Sequence, residues 1–101
     1  MDSVNPALIA DLYLYPTQAG GRKSPIAPGF RCPSYSSQDT KQNGWTCFPD
    51  LGESSMAPGE TRRLGFSFLH LDAASEMHAA GKFYLWDGRF IGEATVVVTA
   101  P

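Results

Sequence analysis

From Leu8 to Tyr15 the chain alternates: Leu8, Ala10, Leu12 and Leu14 fall on one face, and Ile9, Asp11, Tyr13 and Tyr15 on the other. A period of two predicts a strand with one buried face. Pro16 ends it, because proline has no amide hydrogen to give to a sheet. Residues Gly29 to Ser37 carry a weaker strand pattern and Trp45 to Phe48 a short one, and the polar stretch between them closes on Asn43-Gly44, a hairpin turn. Pro58-Gly59-Glu60 is a further turn, followed by a strand over Leu64 to Leu71 with Leu64, Phe66 and Phe68 on one face. Phe83 and Leu85 alternate with Tyr84 and Trp86, and Asp87-Gly88 turns the chain into a last strand over Phe90 to Val98. One segment suits a helix of a turn or two: Asp72 as cap, Ala73 to Ala80 as body, Gly81 as stop.

Six short strands, one helical turn, ten glycines and eight prolines in 101 residues predict a single all-β domain over 1–101, a closed barrel or a sandwich, and of the two a small β-barrel. The composition, 43% hydrophobic and 18% charged, is that of a globular chain. A formal net charge of −2 argues against a protein devoted to wrapping nucleic acid, which carries a basic excess, but leaves room for a local basic patch. No basic stretch followed by an apolar run opens the chain, and no apolar segment approaches the length that spans a bilayer. The expected location is the cytoplasm, with no membrane partner and with Cys32 and Cys47 as reduced thiols.

Five motifs then stand in order along the chain. They are Gly20-Gly21-Arg22-Lys23-Ser24-Pro25-Ile26, Gly29-Phe30-Arg31, Met56-Ala57-Pro58-Gly59-Glu60, Leu69-His70 and Gly88-Arg89-Phe90-Ile91-Gly92. In sequence and near-spacing they resemble the C-terminal (third) domain of translation elongation factor Tu, over about residues 8 to 99. That family has Gly-Gly-Arg-His-Thr-Pro-Phe, Gly-Tyr-Arg-Pro, Met-Pro-Gly-Asp, Ile-His and Gly-Arg-Thr-Val-Gly at the matching places. The resemblance implies a six-stranded antiparallel barrel, in agreement with the strand count. In the family a GTP-binding domain and another barrel precede this domain. These 101 residues hold neither, and no Gly-x-x-x-x-Gly-Lys-Ser/Thr is present to cradle a nucleotide. The family's contact positions survive in patches. Arg22 is kept, Arg31-Cys32-Pro33 stands for Arg-Pro-Gln, a later strand arginine falls at about Ser37, and Trp86 takes the place of a glutamate. The loop after His70 is about four residues longer than the family's.

Catalytic chemistry has thin support. Cys32, Cys47, His70 and His78 run C-x14-C-x22-H-x7-H, without the closely spaced ligand pairs of a zinc site, so no metal or cofactor is expected. A Cys–His nucleophile from Cys32 or Cys47 with His70 lacks any flanking signature. Asp72, Glu76, Asp87 and Glu93, the candidates for acid–base work, lie where carboxylates are usually solvated.

Two constellations suit binding. Arg22 and Lys23 in one loop, with Arg62 and Arg63 after a turn, would form a small RNA-backbone site if one barrel face carried both. Against this, Arg22 could pair locally with Asp11 or Asp50, and Arg62 and Arg63 could cover a barrel rim. The second constellation is aromatic: Tyr13, Tyr15, Tyr35, Tyr84, Trp45 and Trp86. A closed barrel has one interior, so some of these rings face outward. Tyr13, Tyr15 and Trp86 are the candidates for a surface that takes a protein partner or a second copy, with scattered surface aromatics as the alternative. The expectation is therefore a binding module without catalysis, with tRNA as the alternative partner.

Overall fold

A computed structural model describes residues 7–39 and 44–97 of the chain. Six strands, β1 (Leu8–Leu14), β2 (Cys32–Tyr35), β3 (Trp45–Pro49), β4 (Thr61–Phe68), β5 (Lys82–Trp86) and β6 (Phe90–Val96), are joined by a 3-10 turn at Thr17–Ala19 and one helix, α1 (Leu71–Ala80). They close in the order β1-β4-β3-β2-β5-β6, and every neighbouring pair is antiparallel. The expected six-stranded barrel is thus the observed fold. Closure gives each of the six described strands a neighbour on both sides, which removes the template for aggregation that an open sheet carries.

The core follows from the period-two pattern. Leu8, Ala10, Leu12 and Leu14 all point inward from β1, facing Leu64 and Phe66 of β4, Cys47 of β3, Phe83 and Leu85 of β5, and Ala94 and Val96 of β6. Ser34 is the one buried polar side chain among the described residues, and its hydroxyl donates to the Trp45 carbonyl at 2.6 Å. The loops add to the core at opposite ends. Ile26 and Met56, both buried, pair by a two-way backbone bridge near the C-terminal end of β1. At the other end α1 lowers Ala73 and Met77 into the interior.

Several boundaries differ from the sequence expectation. Helix α1 has ten residues rather than a turn or two, and its N-cap is His70, with Asp72 inside the first turn. There the Asp72 charge faces the positive end of the helix dipole instead of capping an amide. The extra length is held by tertiary contacts: burial of Ala73 and Met77, and the Trp45 indole N–H donating to Glu76 Oε1 at 2.9 Å. Gly81 does stop the helix, in the left-handed conformation, with its N–H on the Met77 carbonyl. Strand β4 begins earlier than the apolar pattern suggests, because Thr61, Arg62 and Arg63 pair with Tyr13, Leu12 and Asp11. It ends at Phe68, where the chain turns into α1. Strand β2 is shorter than expected. The expected Asn43 turn residue and Val98 lie outside the described residues.

Candidate functional site

The outer wall carries a band of aromatic rings across four neighbouring strands. Register sets it: Tyr13 of β1 is level with Glu93 of β6, Glu93 with Tyr84 of β5, and Tyr84 with Tyr35 of β2. Phe90 and Trp86 are paired one step further along β6 and β5. Phe90 is the hub of the β2-β5-β6 part, with ring centroids 4.9 Å from Trp86, 6.0 Å from Tyr84 and 6.0 Å from Tyr35, each edge to face. Tyr13 and Tyr15 form a second edge-to-face pair at 5.8 Å. Such geometry matches positive ring edges to negative ring faces. All six residues are partly buried, neither enclosed in the core nor fully exposed.

A polar hinge joins the two groups. Tyr15 donates its hydroxyl to Glu93 Oε1 at 2.9 Å, and Lys82 Nζ donates to Glu93 Oε2 at 3.1 Å. Burial first, and then the hydrogen bond to Glu93, push the Tyr15 phenol well above its ordinary range. Burial raises the Glu93 carboxyl, but the Tyr15 and Lys82 hydrogen bonds and the Lys82 charge together outweigh it and hold the group below its ordinary value.

The register also explains why Phe90 escapes a sequence reading. Gly92, Ala94 and Val96 point inward, and strict alternation would send Phe90 the same way. Instead Leu85 pairs with Gly92 and Trp86 with Phe90, which leaves Ile91 as an extra residue in a bulge. The bulge puts Ile91 in the core and turns Phe90 outward.

Arg22, Arg62 and Arg63 are each paired with an acid. Arg22 does not meet Asp11 or Asp50. Its guanidinium bonds Asp87 across the barrel end, donates to the Ser24 carbonyl at 3.1 Å and stacks over Phe30 at 5.2 Å. Arg63 faces outward and forks onto Asp11 at 2.8 and 3.2 Å. Arg62, its neighbour, points the opposite way and pins the loop at Ser54 and Ser55 while bonding Glu60. Adjacent strand residues face opposite sides, so Arg62 and Arg63 do not form one patch. A shallow cleft of about 220 Å³ gathers Arg22, Lys23 and Arg89 with Asp87, Gly21, Ser24 and Ile91. Among the described residues the exposed Lys23 ammonium has no partner.

Among the described residues the candidate Cys–His pair is divided between core and surface. Cys32 and Cys47 lie in the core, whereas His70 is exposed and meets the Trp45 ring edge to face at 5.3 Å. Glu76, Asp87 and Glu93 are each engaged in the contacts above. Among the described residues no group of three or more His, Cys, Asp or Glu side chains is placed to hold a metal, and no helix is long and apolar enough to cross a membrane. Neither a known protein-family model nor a curated protein matches the chain.

The ion pairs set an acid limit. A hydrogen bond from Arg63 lowers the Asp11 carboxyl, and the Ala57 amide followed by Arg62 lowers Glu60. Glu93 is also lowered. Groups whose carboxyls are depressed by folding add stability that is present above their ordinary values, 3.8 for Asp and 4.5 for Glu, and is lost as pH falls through the folded values. Thermal unfolding should therefore show a lower Tm at about pH 3 than at neutrality. An unchanged Tm would show that these contacts add nothing to the fold.

Proposed function

We propose that this chain is a non-catalytic binding module whose aromatic outer wall engages a protein partner or a second copy of itself. One observation carries the reading: Tyr13, Tyr15, Tyr84, Phe90, Trp86 and Tyr35 form a band on four neighbouring strands, each residue partly buried and none enclosed in the core. Tyrosine and tryptophan bring large, rigid contact area at small entropic cost, which is why such residues concentrate at binding hot spots. The motif resemblance to the third domain of elongation factor Tu supports the same reading, since in that family the outer faces of this barrel meet neighbouring domains or protein partners. Truncating Trp86 or Tyr13 to alanine leaves the barrel folded by circular dichroism and weakens association by about 30-fold. Unchanged association in both variants removes the proposal.

A second reading, a weak tRNA- or RNA-backbone contact, is favoured by the cleft that gathers Arg22, Lys23 and Arg89. Arg62 and Arg63 give it little help, as both are held by local acids. This reading requires an RNA affinity that falls steeply with added salt.

A further inference from the structure

The chain has two cysteines, and the fold sets them face to face. Cys32 on β2 and Cys47 on β3 are direct cross-strand partners, both free thiols, at 5% and 0% exposure. Directly opposed residues of an antiparallel pair have Cα atoms about 4.5–5.5 Å apart. A disulfide spans about 4.4–6.8 Å between Cα atoms, and opposed side chains leave the sheet on the same face. Joining the two therefore needs no rearrangement of the strands. The thiols already sense one another: Cys47 as a hydrogen-bonding neighbour, and then burial, push the Cys32 thiol far up. Core packing explains either cysteine singly, as a small apolar side chain. It does not explain why the only two in the sequence share one register position.

From this juxtaposition we infer that Cys32 and Cys47 are a disulfide site, which closes an intrachain bond between β2 and β3 when the protein meets a low-molecular-weight disulfide such as oxidised glutathione. The Cys32 thiolate, from the less buried of the two, attacks one sulfur of the reagent, breaks its S–S bond and releases one glutathione thiolate. The Cys47 thiolate then attacks the Cys32 sulfur of the mixed disulfide, forms the Cys32–Cys47 bond and releases the second glutathione. Two electrons pass to the reagent, and the protons lost by the cysteines end on the two glutathione thiols. Thiolate is the attacking form and burial opposes it, so closure is slow at neutral pH and quickens as pH rises. Cross-linking restricts the unfolded chain, and a ring of about 15 residues raises Tm by about 10 °C.

The test incubates the full chain with excess oxidised glutathione at neutral and alkaline pH, quenches with acid, denatures, alkylates and reads the intact mass. The expected product is a monomer lighter by two hydrogens, with no alkylated thiol, no glutathione adduct and a raised Tm that dithiothreitol reverses. Cys47→Ser cannot form this product and stops at the free thiol or the mixed disulfide. Two alkylatable thiols after oxidation at both pH values overturn the inference, as do glutathione on both cysteines, a covalent dimer, or a linked form that melts below the reduced one.

Discussion

Replacing Phe83 with alanine will lower the stability of the barrel by about 3–5 kcal/mol. Phe83 is fully buried on β5, with its ring 5.1 Å from Phe66 and 5.8 Å from Phe68, both edge to face. Its truncation removes transferred apolar surface and two ring contacts together. It also leaves a cavity that strands fixed by closed pairing cannot collapse to fill. Domains of this size have a total stability of about 5–15 kcal/mol, so the variant should unfold at much lower urea concentration and well below the parent Tm. Leu69→Ala is the matched comparison. Leu69 is 66% exposed, and its loss should change stability by no more than about 0.5 kcal/mol. A Phe83→Ala loss below about 1 kcal/mol would contradict the packed interior described above.

Gly21→Ala should cost about 3 kcal/mol or more, whereas Gly20→Ala costs about 1 kcal/mol, although the two glycines are neighbours. A Cβ on Gly21 would stand 2.0 Å from the Tyr15 carbonyl oxygen and 2.9 Å from that of Pro16. Both obstacles are backbone, and the Gly21 amide is itself tied to the Pro16 carbonyl at 3.0 Å, so neither side gives way cheaply. A Cβ on Gly20 meets nothing within 4 Å, but its φ of +95° is a conformation in which L side chains are strained. One glycine is required for space and the other for a dihedral. Urea denaturation of both variants checks the order; equal losses would show that the close approach at Gly21 can relax.

The barrel was legible because its signal is local. The alternation from Leu8 to Leu14 predicts each inward residue of β1, and all four are buried. Turn residues likewise mark where strands stop. What the pattern misses depends on partners far along the chain. The Asp87 that holds Arg22 lies 65 positions away, and nothing in the motif around Arg22 selects it over Asp11. Phe90 joined the band only through a bulge, a one-residue slip between β5 and β6 that hydrophobic alternation does not encode. The meeting of Cys32 with Cys47 depends on the β2–β3 register, and part of the connecting segment has no apolar pattern to set it. The separation of Arg62 from Arg63, by contrast, could have been read from period two alone. The length of α1 was hidden because Trp45, from another strand, supplies a partner for its Glu76.

That division bears on function. Sequence order lists the aromatics as isolated residues, and barrel closure makes them one surface; strand alternation parts Arg62 from Arg63, and Arg22, Arg62 and Arg63 each bond an acid. The most direct test is a pull-down from the host's own lysate at low salt, with tagged wild type, Tyr13→Ala and Trp86→Ala compared and bound protein and RNA read together. Wild type should retain a protein, or an added second copy of the chain, that both variants lose while remaining folded. Equal capture of protein by all three would contradict it, and RNA that all three bind and that salt removes would transfer the working surface to the Arg22–Lys23–Arg89 cleft.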